Sequence, residues 1–353
     1  MSNRKWIIEF LAVCVILLGG LGAITVIIDP YFHYHKPLDS LQYPISNERY
    51  QNNGIVKHFE YDAVITGTSM TQNFKTSEFD EIFHVNSVKV PFSGASYKEI
   101  NDNLTIAVES NPNIKIILRG LDYNRLLDEK NEMRYDMDFY PWYLYDDVPY
   151  NDVKYIFNKT VLFQTTLGVL EYTWDGGKTT DFDEYSNWME YSTFGKETVD
   201  ATYTRADRID ALEQLSTEDY KNINENVTQN ITELADAHPE IDFYLFFTPY
   251  SIYYWDSLNQ MGILEKQLEA EKYVIELLLL HDNIHLFSFF TEFDMICNLD
   301  NYKDIAHYGE DVNSQILLWM SEGKHEITRE NYQEYCQVMK NFYTNYDYDA
   351  LFE

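Results

Sequence analysis

Residues 62–70 read Asp62-Ala63-Val64-Ile65-Thr66-Gly67-Thr68-Ser69-Met70, a short apolar run that stops at a glycine and presents a hydroxyl two residues later. The apolar part is too short for a helix and suits a buried strand, while the stretch through residues 74–83 has helical spacing. This is strand, turn, helix, and the unit recurs. Residues 85–90 are expected as a strand, 97–109 as a helix and 114–118 as a β-branched strand. Further on, 218–237 reads as a helix, 241–248 as a buried strand stopped by Pro249, 264–280 as a helix and 284–289 as a strand. Alternation of this kind implies parallel strands joined by helical crossovers, hence an α/β fold: a three-layer α/β/α sandwich with a parallel sheet.

Between the two halves of that pattern, about 127–210 has little periodicity and is rich in Tyr, Trp and Asp, as in Tyr140-Pro141-Trp142-Tyr143-Leu144-Tyr145-Asp146-Asp147. It is read as an aromatic insertion or cap over the carboxyl edge of the sheet. At the other end, residues 6–28 are apolar except for Glu9. At ~1.5 Å per residue they suffice to cross a bilayer core of ~30 Å. Arg4 and Lys5 precede the run and no matching basic cluster follows it, so the start is expected in the cytoplasm and the remainder outside the cell. The length of the run and the lack of a small-x-small site beyond it favour an uncleaved anchor over a signal peptide. The expected organisation is an anchor at 1–28, a juxtamembrane segment at 29–60 and an extracellular domain at 61–353.

With 26 Lys+Arg against 58 Asp+Glu, the formal net charge is −32, which makes nucleic acid a poor partner. The hydrophobic content of 45% argues against disorder, because it supplies enough surface to bury. Of the three cysteines, Cys14 is read as membrane filler, and Cys297 and Cys336 as free thiols, with pairing outside the cell as the alternative. His33 and His35 have the spacing of a metal pair, but no third ligand is evident, so they are read as juxtamembrane packing and no metal or cofactor is expected. Arg49 is assigned a structural pairing in preference to an anionic substrate.

In an open parallel sheet, ligands bind beyond the carboxyl ends of the strands. There the chain carries Gly67-Thr68-Ser69 after the first strand, Phe92-Ser93-Gly94-Ala95-Ser96 after the second and Arg119-Gly120-Leu121-Asp122-Tyr123-Asn124 after the third. Near the carboxyl end stands Asp304-Ile305-Ala306-His307, a spacing that lets the carboxylate orient the imidazole while its other nitrogen faces a serine. Taken singly, Ser69 also reads as a helix cap and His307 as a solvated loop residue.

As an ordered set, Gly-x-Ser, Gly, Gly-x-Asp-x-Asn and Asp-x-x-His resemble the four sequence blocks of the SGNH/GDSL hydrolase superfamily. The resemblance runs over about 61–319, outside the aromatic insertion. It implies a nucleophile at Ser69, a base at His307 and an orienting acid at Asp304, with oxyanion donors from the amides of Ser69 and Gly94 and an Asn side chain. Asp122 stands where the family has that Asn, and an ionised Asp cannot donate, so Asn124 is nominated. The single anchor followed by Asp29-Pro30-Tyr31-Phe32-His33-Tyr34-His35 and Glu48-Arg49-Tyr50-Gln51-Asn52 is similar in layout to membrane-anchored SGNH proteins of Gram-positive bacteria. Among these are the D-alanyl-lipoteichoic acid transfer and alginate O-acetylation families. The likeness implies a serine O-acyltransferase or esterase acting on a wall polymer, teichoic acid or exported polysaccharide, with a membrane-bound O-acyltransferase as partner. The alternative from another class is an inactive scaffold of the same fold in a polymer-acylation complex.

Overall fold

Parallel strands covered on both faces must be apolar almost throughout, because neither face meets water. In the computed structural model, which describes residues 3–136 and 139–352, five such runs form β1 (Ala63–Gly67), β2 (Ser87–Pro91), β3 (Ile116–Leu121), β4 (Asp242–Phe247) and β5 (Ile284–Ser288). β1 and β2 are buried along their whole length. The order is β2-β1-β3-β4-β5, all parallel, with Val64 of β1 registered against Val88 on one side and Ile117 on the other. A sixth strand, β6 (Glu326–Ile327), closes the edge antiparallel to β5. The sheet is therefore mixed, which corrects the expectation of an all-parallel one. Two residues are too few to leave any periodic trace in a sequence.

Helices flank this α/β core. Thr76–Phe83 follows β1, and Tyr97–Ser110 follows β2, started by a capping box in which Ser96 and Glu99 satisfy each other's backbone amides. The expected helix at 218–237 is present as Thr217–Val227 and Glu233–Ala237 joined by a π-turn at Thr228–Thr232. The helix Leu264–Leu278 precedes β5. Ile252–Gln260, Glu310–Ser321 and Tyr332–Asn345 add three helices beyond the expected pattern.

Two basic side chains of the sheet are buried. Lys89 on β2 donates to the carbonyls of Gln72 and Phe74 and so holds the chain after β1 against the sheet. Arg119 on β3 donates to the carbonyls of Asn230 and Tyr97, at 2.7 and 3.1 Å. Burial lowers its pKa to about 10, since the charged form loses its water.

The chain divides into two compact units: Met1–Glu60 with Tyr135–Asp181, and Tyr61–Arg134 with Phe182–Glu353. The stretch 127–210 is thus shared between them. The sheet belongs to the second unit. In the first, the helix Asn3–Ile28 has a mean hydropathy of 2.8 over its most apolar window and is long enough to cross a membrane. Directly after it, the buried Asp29 accepts hydrogen bonds from the amides of His33, Tyr34 and His35 and from the Tyr155 hydroxyl. Those bonds turn the chain at the helix end. His33 Nε2 lies 3.3 Å from Asp152 Oδ1, whereas His35 reaches the carbonyls of Lys36 and Val26, so the two imidazoles do not converge. Arg49 lies over the Tyr135 ring, 4.8 Å from its centroid. Cys14, Cys297 and Cys336 are free thiols.

Candidate active site

A strand order that places β1 between β2 and β3 sends the chain from β1 first to one side and later to the other. Such a switch in strand order, at the carboxyl ends of β1 and β3, is where an open α/β sheet generally receives ligands. Ser69 follows β1 there and Asp122 follows β3.

The turn that presents Ser69 is built by its neighbours. Gly67 has φ +148°, and a β-carbon on it would stand 2.6 Å from Thr71 Cγ2. Only glycine fits without a shift. Thr68 caps the one-turn 3-10 helix Ser69–Thr71 by accepting from the Met70 amide, and its hydroxyl donates to Asp122 Oδ2 at 2.6 Å. Thr71 Oγ1 returns to the Thr68 carbonyl at 2.9 Å. The α-helix expected to begin near residue 74 starts at Thr76, so a single tight turn holds the serine.

Ser69 Oγ lies 2.8 Å from His307 Nε2, and His307 Nδ1 lies 2.8 Å from Asp304 Oδ2. The loop carrying both partners is pinned. Tyr302 and Tyr308 form an isolated antiparallel bridge, the Tyr302 hydroxyl donates to the Pro249 carbonyl, and the Ser251 amide donates to the Ile305 carbonyl. Asp304 Oδ1 also accepts from the amides of Ala306 and His307, at 2.9 and 2.8 Å. Burial opposes ionisation of Asp304, but the His307 side chain and these amides outweigh it, and the carboxyl titrates below its ordinary value. Asp304 and His307 are each 28% exposed at the side chain, so the pair is not sealed from solvent.

Gly94 and Asn124 occupy the loops after β2 and β3. Gly94 has φ +64°, and its carbonyl accepts from Arg125 at 3.1 Å. Asn124 is exposed, with Oδ1 3.3 Å from the Tyr250 hydroxyl. Among the described residues neither makes a hydrogen bond to Ser69. Asp122 is buried, and its two oxygens accept from Thr68 and Tyr250. Burial raises its pKa, with those two hydroxyls opposing. Its oxygens are thus occupied as acceptors, orienting the Ser69 turn and Tyr250.

Trp188 was not singled out in the sequence. Its indole nitrogen donates to the Ser69 carbonyl at 3.3 Å, and its ring meets the His307 imidazole edge-on at 5.7 Å between centroids. Lys303 Nζ sits over the same indole, 3.6 Å from the centroid, and burial lowers the lysine's pKa while Asp304 opposes. The aromatic richness of the segment was its only signal, because nothing local separates Trp188 from the other rings around it. Neither a family model, nor a curated protein, nor a solved structure matches this chain.

Proposed function

We propose that the protein is a membrane-anchored serine acyl-transfer enzyme of SGNH/GDSL type, an O-acyltransferase or esterase acting outside the cell on a surface polymer or exported polysaccharide. The observation that carries this reading is the unbroken hydrogen-bond path from Ser69 through His307 to Asp304, with Ser69 held directly after the carboxyl end of β1. In this mechanism Ser69 Oγ attacks the carbonyl carbon of an acyl donor while His307 Nε2 takes its proton. Asp304 holds the Nδ1–H tautomer and stabilises the imidazolium. The tetrahedral oxyanion is met by backbone amides at the Ser69 turn and the Gly94 loop, with Asn124 as the side-chain donor. Collapse returns the proton to the departing donor oxygen and leaves Ser69 acylated. A sugar hydroxyl or water, deprotonated by His307, then attacks the acyl carbon; the second tetrahedral intermediate collapses by breaking the Ser69 Oγ–acyl bond, and His307 returns the proton to Ser69. The apolar helix Asn3–Ile28 and its basic start support anchoring with the catalytic domain outside, where a membrane-bound O-acyltransferase is the fitting supplier of acyl groups.

A fluorophosphonate probe applied to the full-length protein should label Ser69, and Ser69→Ala should abolish labelling. Incubation with a chromogenic acetyl ester and a panel of oligosaccharides then separates transfer from hydrolysis. Labelling of another serine sinks the assignment. Absence of both labelling and turnover favours the scaffold.

A further inference from the structure

The helical segment after Asn158, comprising the π-turn Val161–Thr166 and the helix Leu167–Trp174, has two unlike faces. One face is buried. Val161, Thr166 and Val169 point inward, Thr165 meets the Tyr31 hydroxyl at 3.3 Å, and Thr173 accepts from the Gln42 amide at 2.8 Å. The other face is apolar and open: Phe163 is 55% exposed, Leu167 48%, Leu170 40% and Trp174 89%. Spacings of four, three and four residues put all four on one stripe of a helix. Four large apolar side chains aligned on one exposed stripe mark a contact surface, unlike apolar residues scattered singly.

The first unit itself points to the occupant. The apolar helix Asn3–Ile28 packs against this segment and the short helix before it, with Gly22, Thr25 and Ile28 buried on one face. A β-carbon at Gly22 would lie 3.1 Å from Ile156 Cγ2 and 3.4 Å from the Phe157 ring. Counting from Trp6, a hydrocarbon core of ~30 Å is crossed after about 20 residues, near Val26, which leaves Gly22 about 6 Å inside the outer boundary. Side chains touching Gly22 therefore already stand at the depth where interfacial helices rest. Phe157, whose ring meets Gly22, is itself 43% exposed, and Lys154, Lys159 and Lys178 of the same unit are exposed.

We propose that residues 157–174 form a second, non-spanning membrane contact, in which Phe163, Leu167, Leu170 and Trp174 lie in the headgroup–acyl boundary of the outer leaflet beside the spanning helix. The proposal rests on the reading of Asn3–Ile28 as the anchor. It fixes the first unit against the bilayer at two points. Because the chain as a whole is strongly acidic, the attachment is apolar and persists at high salt.

The test is spin-label accessibility in the full-length protein, reconstituted in nanodiscs of phosphatidylcholine and phosphatidylglycerol. In a background of Cys14→Ala, Cys297→Ala and Cys336→Ala, labels are introduced by Phe163→Cys, Leu167→Cys, Leu170→Cys and Trp174→Cys. Gln164→Cys and Glu171→Cys serve as controls on the polar side, and Val15→Cys reports the anchor. The expected result is a severalfold higher ratio of oxygen to nickel-chelate access at the four stripe positions than at the two controls. Nickel access at the stripe with an oxygen-accessible Val15 label overturns the proposal and leaves the anchor standing. A nickel-accessible Val15 label overturns the anchor and the proposal with it. Stripe labels shielded from both reagents indicate a protein contact and also overturn it. The stripe ratios are read again at high salt, where a collapse to control values would refute the apolar attachment.

Discussion

Replacing Asp304 by Asn tests the proposed mechanism at its most geometric point. Asp304 Oδ1 accepts from the amides of Ala306 and His307, and an Asn oxygen can keep both bonds, so the loop has no reason to move. At the other position the carboxylate oxygen 2.8 Å from His307 Nδ1 becomes an amide NH2 group. Nδ1 also lies 3.0 Å from Oδ1, but that oxygen already accepts from two amides, so the nearer NH2 group donates to Nδ1, makes it an acceptor and moves the imidazole proton to Nε2. Nε2–H then faces Ser69 Oγ at 2.8 Å and cannot take its proton. Where a wrong tautomer is the only defect in a triad of this kind, turnover falls by about 10⁴, or ~5.5 kcal/mol of transition-state stabilisation. The assay is kcat for a chromogenic acetyl ester, alongside the rate of fluorophosphonate labelling and the thermal midpoint. Asp304→Asn should lose both rates and keep its midpoint, and combining it with Ser69→Ala should cost nothing beyond the loss of the serine. A loss of less than about tenfold with an unchanged midpoint would refute the assigned role of the carboxylate.

Other consequences concern the scaffold of the site. Gly67→Ala sets a β-carbon 2.6 Å from Thr71 Cγ2 at φ +148°, and should destabilise the protein by more than ~1 kcal/mol in urea unfolding while slowing Ser69 labelling. Trp188→Ala removes the indole bond to the Ser69 carbonyl and the cation contact with Lys303, a loss of about 2 kcal/mol in stability, and should lower transfer to sugars more than hydrolysis. Glu271 is buried, which pushes its pKa up to about 7, although the Tyr335 and Tyr123 hydroxyls donate to it and oppose the rise. A carboxyl whose folded pKa is raised favours the fold below its unfolded value and loses that stability as pH climbs towards the folded one. Thermal midpoints should therefore fall from pH 4.5 to 7, and Glu271→Gln should remove a few kcal/mol of that dependence, being more stable than wild type above pH 7.

Local pattern sufficed for much of the sheet. The apolar runs at 62–66, 85–90, 114–118, 241–248 and 284–289 each lie on an observed strand within a few residues, because burial on both faces imposes a composition that is visible in one short window. The apolar helix at the start is legible because its unbroken apolar run is itself a composition signal. Ser69, Asp304 and His307 could be nominated from residue type, spacing and order along the chain, and the structure sets Ser69 beside His307 across 238 residues.

By itself the sequence determined the five parallel strands, which helix is apolar enough to cross a membrane, and which hydroxyl, imidazole and carboxylate stand in suggestive order. Tertiary structure alone decided the rest. It added β6 antiparallel at the edge of the sheet, grouped Tyr135–Asp181 with the unit that carries the apolar helix, and set Trp188 against the Ser69 carbonyl. It also gave Asp122 two hydroxyl donors, Thr68 and Tyr250, that lie 54 and 128 residues away along the chain. The physical reason is that hydrophobic period and turn chemistry act over a few neighbouring residues. Strand direction, unit membership and the partners of a buried carboxylate are instead settled by contacts that exist only once distant segments have packed.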